Sequence, residues 1–251
     1  MTTALVELDG VTRRHGGRPA LDRVSLAVAA GEFVALVGPS GAGKTTLLKA
    51  INRLVEPDEG AVRVDGRDVR RVPLAALRRG IGYVFQGIGL FPHLTVAENI
   101  WIVPRLADES DAGRADRIAH LLDLVALPVD LAGRYPRALS GGQAQRVGVA
   151  RALAASPRLM LMDEPFGALD PVTRDALGTA YRQLHDRLGL TTIMVTHDIA
   201  EALLRADRIV VLIDGRIRAD AAPASLLANQ DPEIREMVAV PRRQAERLAA
   251  L

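Results

Sequence analysis

The chain opens with short alternations of apolar and polar residues. Leu5-Val6-Glu7-Leu8-Asp9 and Ser25-Leu26-Ala27-Val28 repeat with the period of two expected of half-buried strands. Phe33 to Val37 differs: it is wholly apolar and ends at Gly38, the pattern of a strand covered on both faces, as in a parallel sheet. Thr45 to Leu54 then reads as a helix, and Ala61-Val62-Arg63-Val64 runs into Asp65-Gly66, a hairpin-turn signal. From Thr95 to about Ala126 the periodicity turns helical, with Ile118, Leu121, Leu122 and Val125 three and four residues apart. Apolar runs return at Leu159-Met160-Leu161-Met162, Thr192-Ile193-Met194-Val195 and Ile209-Val210-Val211-Leu212, with helical segments between them. Strands alternating with helices predict an α/β fold on a mostly parallel sheet. An antiparallel β subdomain precedes it, a helical insert interrupts it, and the tail after Asp220 is helical in pattern.

Composition narrows the function classes. The 251 residues suffice for one large domain or two closely associated lobes. With 49% hydrophobic and 25% charged residues, the chain has the make-up of a soluble globular protein. Cysteine is absent, which excludes disulfides and thiolate metal sites and fits a reducing compartment. The net charge is only +2, and no run of basic residues marks a nucleic-acid-binding face. Nothing approaches the roughly 18 apolar residues of a membrane span, and Met1 to Asp9 lacks the order of a signal peptide.

Two segments carry phosphate chemistry. Gly38-Pro39-Ser40-Gly41-Ala42-Gly43-Lys44-Thr45, continued by Thr46, matches the P-loop pattern in full, with a buried strand before it and a helix after it. Its glycines let successive N–H groups face inward, and with the positive end of the following helix these hold phosphate oxygens. Lys44, one of only two lysines, is placed to reach the terminal phosphates, and the Thr45 hydroxyl to ligate Mg²⁺. Downstream, the strand Leu159 to Met162 delivers Asp163 and Glu164. Neighbouring strand residues point to opposite faces, so the two carboxylates are free to take different tasks. Asp163 is expected in the Mg²⁺ shell, and Glu164 as the base that orients and deprotonates the attacking water.

Leu139-Ser140-Gly141-Gly142-Gln143 resembles the signature of the ABC ATPases. Gln86 is similar to that family's Q-loop glutamine, Ala168-Leu169-Asp170 to its D-loop, and His197 in Val195-Thr196-His197-Asp198 to its switch histidine. The resemblance runs from about Leu5 to Asp220, with all the motifs in family order. It implies a P-loop NTPase core whose helical insert carries the signature, and two copies packed head to tail with two ATP molecules between them. On that resemblance Ser140, Gly141, Gly142 and Gln143 cap the γ-phosphate held by the opposite copy. Gln86 contacts Mg²⁺, His197 keeps Glu164 and the water aligned, and Asp170 lies at the dimer seam. The chain departs from the family where an aromatic residue stacks on adenine. Arg14-His15-Gly16 stands there, leaving His15 either as a smaller stacking platform or as an ordinary loop histidine.

The stretch Ile81 to Ile100, with Gly38 to Gly41, Ile51-Asn52-Arg53-Leu54 and Leu161 to Asp170, is similar to the osmoprotectant branch of importers, for glycine betaine, choline, carnitine and other quaternary amines. That implies an ATPase subunit on the cytoplasmic face of a membrane, energising solute uptake. Its partners would be itself as a homodimer, a permease contacted near Gly87–Ile100, with Leu90, Phe91 and Leu94 as apolar contacts, and indirectly a solute-binding protein. No nucleic acid is expected. Import of another solute such as an amino acid, export, and a soluble non-transport role are the other readings. The implied domains are 1–222, with a helical subdomain at about 88–157, and a helical tail at 223–251. That leaves no room for the paired CBS modules that members of the branch often carry.

Overall fold

The computed structural model describes residues 4–87, 89–167 and 169–249. Ile88 and Ala168, which fall within two of the segments above, lie outside the described residues, as do 250–251 of the tail. In chain order the strands are β1 (Ala4–His15), β2 (Arg18–Ala29), β3 (Phe33–Val37), β4 (Glu59–Val64), β5 (Arg67–Asp68), β6 (Ile81–Val84), β7 (Leu159–Asp163), β8 (Thr191–Val195), β9 (Arg208–Ile213) and β10 (Arg216–Ala221). The helices are α1 (Lys44–Ile51), α2 (Leu74–Arg79), α3 (Val96–Leu106), α4 (Arg114–Leu124), α5 (Gly141–Leu153), α6 (Pro171–Leu188), α7 (Ile199–Arg205), α8 (Pro223–Leu227) and α9 (Pro232–Ala249). They fall into two compact units, Met1–Asp68 with Ile193–Leu251, and Val69–Thr192.

The first unit holds an antiparallel sheet of order β2-β1-β4-β5, and strands β10, β9, β3 and the end of β8 of a second sheet. Alternation in β1 and β2 puts Val6, Leu8, Leu26 and Val28 into the core. The Asp65-Gly66 turn forms as read, with both residues left-handed between β4 and β5. β3 is buried along its length and runs parallel to β9, pairing Leu36 with Val210 and Val37 with Val211. Helix α1 stops at Ile51, short of the Leu54 that the pattern suggested. The Asn52 side chain captures the Leu54 amide at 3.1 Å and Arg53 turns left-handed. β10 was not anticipated. Asp214-Gly215, the same turn signal as Asp65-Gly66, folds it antiparallel onto β9. Helices α8 and α9 follow, and α9 docks through Ile234 and Val238.

The second unit pairs β6 parallel to β7, with the start of β8 as the next strand. The expected helical stretch from Thr95 forms two helices, broken after Leu106 where Asp108 adopts a left-handed conformation. Ile100, Trp101, Ile118, Leu121 and Leu122 form the core beneath them together with Val147 and Val149 of α5. Helix α6 ends in a left-handed Gly189, beyond which the Leu190 N–H returns to the His185 carbonyl at 3.1 Å.

Candidate functional site

In the first unit the loop Gly38–Gly43 leaves the end of β3 and enters α1. Backbone packing dictates glycine at both ends of the loop. At Gly38 (φ 144°) a Cβ would stand 2.0 Å from the Leu212 carbonyl oxygen, and at Gly43 (φ 99°) 2.1 Å from that of Ala20. Gly43 is the N-cap of α1 and provides no side-chain cap, so the first-turn N–H groups face the loop. Ala42 is tied in by backbone bonds to Pro39 and Gly215, both 3.2 Å. Lys44 is 7% exposed, and its ammonium donates to the Gly38 and Pro39 carbonyls at 2.8 Å each, which curls the side chain over the loop. A cradle of N–H groups with a cation over it, too narrow at two points for any side chain, fits a chain of phosphates.

The same unit carries His197 and His15. The Thr196 N–H donates to the Leu36 carbonyl at 3.1 Å, so the exposed His197 emerges beside the strand that feeds the loop. Two residues that sequence reasoning missed brace it. Buried Glu201 accepts from the Thr196 hydroxyl at 2.5 Å, and Asp198 caps α7 by accepting from the Ala200 and Glu201 amides. His15 is exposed and closes the β1–β2 hairpin opposite Arg18.

The second unit brings Gln86, Asp163 and Glu164 together. β6 and β7 pair Val84 with Met162, so their following residues emerge side by side, and the Gln86 amide donates to a Glu164 carboxylate oxygen at 3.1 Å. Asp163 ends β7, 3% exposed. The expected strand alternation does not continue into Glu164. Its φ is +45°, a left-handed turn that takes it off the strand, so backbone strain rather than pleating separates the two carboxylates. Tyr83 on β6 is half-buried, and burial, with the Asp163 charge adding to it, pushes its hydroxyl pKa well up.

Ser140 to Gln143 start helix α5 with a complete capping box. The Ser140 hydroxyl accepts from the Gln143 amide at 3.2 Å, and the Gln143 side chain accepts from the Ser140 amide at 2.9 Å. Gly142 packs so close to α6 that a Cβ would lie 2.7 Å from the Thr173 methyl. Asp170 caps α6, and the Thr173 hydroxyl and N–H beside it hold its carboxyl below the usual range. The residues that resemble the signature and the D-loop are thus neighbours, each at a helix N-terminus. Arg174 donates to the Leu169 carbonyl at 3.1 Å and steadies the segment before Asp170. Asn99, fully buried, donates to the Phe91, Leu94 and Thr95 carbonyls and accepts from the Phe91 amide, which ties down the loop before α3.

Residues 21–167 match the ABC transporter family, more than half of the chain. The chain belongs to that family. The carnitine transport ATP-binding protein OpuCA of Listeria monocytogenes is 49% identical over 90% of this chain, which spans only 57% of that protein. The glycine betaine uptake system ATP-binding protein YehX of Escherichia coli is 49% identical over 89% of this chain and 72% of its own length. The sulfate/thiosulfate import ATP-binding protein CysA 2 of Chromobacterium violaceum is 51% identical over 88% of this chain and 59% of its own. Among solved structures, the dimeric post-hydrolysis state of the ATP-binding cassette MJ0796 bound to ADP and Pi superposes with a TM-score of 0.78 at 37% identity, covering 87% of this chain and 98% of that one. The ABC cassette therefore accounts for the mixed fold, with one antiparallel and one mostly parallel sheet. Among the described residues no helix is long and apolar enough to cross a membrane.

Proposed function

We propose that this chain is the ATP-hydrolysing subunit of an importer for a quaternary-amine osmoprotectant such as glycine betaine, choline or carnitine. It acts as a head-to-tail homodimer on the cytoplasmic face of a membrane, beneath a permease that it meets near Gly87–Ile100. The domain organisation in this reading is a cassette at 1–222, with a helical subdomain at about 88–157, and a tail at 223–251. The observation that supports hydrolysis most is the hydrogen bond between Gln86 and Glu164, which presents a carboxylate in a fixed direction at a strand end. The cargo class rests on the osmoprotectant names of OpuCA and YehX. A second reading, import of an oxyanion such as sulfate, is favoured by the comparable identity to CysA 2.

The donor set suits Mg²⁺. Thr45, Gln86 and Asp163 carry hard oxygens, to which phosphate oxygens and water would be added to complete the shell. When bound, magnesium ATP supplies the phosphoanhydride bond that is cleaved and a divalent charge to offset the negative charge that develops. Lys44 and the backbone N–H groups of the segment Gly38 to Thr46, in which Pro39 shapes the turn without donating, hold the phosphates. Glu164 takes the proton of the attacking water, Gln86 orients Glu164, and His197, braced through Thr196, keeps the water aligned. Ser140, Gly141, Gly142 and Gln143 cap the γ-phosphate bound to the opposite copy, Asp170 links the two sites at the seam, and His15 stacks on the base.

Phosphate release by the purified chain and by Glu164→Gln tests the enzyme assignment, and equal turnover in the two would remove Glu164 as the base. Uptake of labelled glycine betaine, choline and sulfate in cells lacking the gene, with and without the native chain, tests the cargo. Rescue of sulfate alone would replace the first reading with the second.

A further inference from the structure

Arg151 lies on the apolar side of α5 and is 6% exposed. Its guanidinium donates to the Gly89 carbonyl at 2.7 Å, and no carboxylate pairs with it among the described residues. Burial alone pulls its pKa below the ordinary guanidinium value. An unpaired buried cation lowers stability, and a methionine of similar length would fill the space without that cost. The bond to Gly89 supplies a reason for arginine that stability does not. Gly89 is left-handed (φ +55°) and fits between Phe85 and Arg151, with its Cβ direction 3.6 Å from the Phe85 Cβ and 3.7 Å from an Arg151 nitrogen. The far end of the same loop is held by Asn99. Gln86, three residues before Gly89, is hydrogen-bonded to Glu164.

We infer that Arg151 is a positioning residue, which from the signature helix fixes the loop carrying Gln86 and through Gln86 aligns Glu164. One guanidinium thereby connects the helix opened by Ser140 to the carboxylate that activates water. A shift of α5 along its axis pulls on the Gly89 carbonyl, so engagement of the signature segment is felt at Gln86. The inference rests on the hydrolytic roles proposed for Gln86 and Glu164.

The test compares the full-length wild type with Arg151→Met, Arg151→Lys, Gln86→Ala, the Gln86→Ala/Arg151→Met double variant and Glu164→Gln. It reads melting temperature, ATP affinity and steady-state phosphate release at several Mg²⁺ concentrations. Arg151→Met is expected to fold and to bind ATP as the wild type does, because the phosphate loop is untouched. Its kcat should fall about ten- to a hundredfold, as a small misplacement of a catalytic group does, and its Mg²⁺ requirement should rise. Arg151→Lys should recover part of the loss. In the Gln86→Ala background, Arg151→Met should add no further loss. Unimpaired turnover in a folded Arg151→Met, or full additivity with Gln86→Ala, overturns the inference. If Arg151→Met does not fold, Arg151→Gln, too short to reach Gly89, takes its place with the same expectations. Loss of folding in both makes Arg151 a stabilising residue only and also overturns it. Turnover in Glu164→Gln equal to wild type sinks the hydrolytic reading itself. An inactive Glu164→Gln beside an unimpaired Arg151→Met sinks this inference alone.

Discussion

The loop Gly38–Gly43 and the segment Ser140–Gln143 both present N–H groups at the start of a helix, but they are held by opposite means. The first is shaped by main chain against main chain. Gly38 and Gly43 lie against the carbonyls of Leu212 and Ala20, and Ala42 is bonded to Pro39 and Gly215. The second is shaped by side chains, with Ser140 and Gln143 closing on each other and, farther along the unit, Asn99, Arg151 and Arg174 each gripping a loop carbonyl. A site held by close backbone approach fails when atoms are added. One held by side-chain clamps fails when atoms are removed.

The largest effect on nucleotide binding should therefore come from a single methyl group in the first unit. Gly43→Ala places a Cβ against the Ala20 carbonyl at a φ that alanine resists, with backbone strain alone costing about 1–3 kcal/mol. ATP affinity should fall at least a hundredfold, a loss of about 2.7 kcal/mol or more, and the melting temperature should drop. Gly141→Ala is the counterpart. Its Cβ would meet nothing within 4 Å, so the melting temperature should hold or rise slightly, in line with alanine's helix preference of up to about 1 kcal/mol. A nucleotide titration and a melt of both variants check the contrast, and equal damage from the two methyls would end it.

Chemistry in the second unit should be separable from binding in the first. Glu164→Gln keeps the shape and the partner Gln86 but removes the proposed base. Turnover should fall about 10²- to 10⁴-fold while ATP binds as before, and the dimer should persist in its nucleotide-bound form by size-exclusion chromatography. Asn99→Ala comes next. Truncation removes the side-chain donor to the part-buried Leu94 carbonyl and the acceptor of the Phe91 N–H, while the Phe91 and Thr95 carbonyls keep a backbone donor each, so it should cost about 1–3 kcal/mol in a denaturant titration. Retention of near wild-type stability would mean that the loop is held some other way.

This division also governs what could be read without coordinates. Features imposed by backbone geometry leave residue-type signals: the glycines of the Gly38–Gly43 loop, the apolar run of β3 and the Asp65-Gly66 turn; of the side-chain devices, only the capping pair at Ser140 does so. Alternation gave β1 and β2, whereas β10 was overlooked although Asp214-Gly215 marks its turn, because Arg216–Ala221 alternates on an exposed edge and lacks a large apolar residue on every second position. The clamps left almost no trace. Asn99 and Arg151 are ordinary letters in helical stretches, and only their burial, 0% and 6% exposed, reveals that they face inward onto carbonyls of the loop before α3. A polar residue on the apolar stripe of a helix was the one available hint. The left-handed Glu164 was equally hidden, since nothing in Met162-Asp163-Glu164-Pro165 sets a positive φ on a glutamate.

The smallest expected effect is at the capping box, and it separates two roles of one hydroxyl. In the isolated chain Ser140 accepts from the Gln143 amide, and Ser140→Ala should cost about 0.5–2 kcal/mol of stability through that bond alone. Ser140→Asp restores the cap, because a carboxylate accepts from the same amide and is favoured at the positive end of α5. It places a negative charge, however, where the proposed dimer brings the γ-phosphate of the opposite copy. The two variants should thus part company. Ser140→Ala melts lower but still dimerises with ATP at somewhat reduced affinity, whereas Ser140→Asp melts like wild type and does not dimerise. If Ser140→Asp dimerises normally with ATP, Ser140 serves only as the helix cap, and the side-chain clamping of the second unit is then structural at this position.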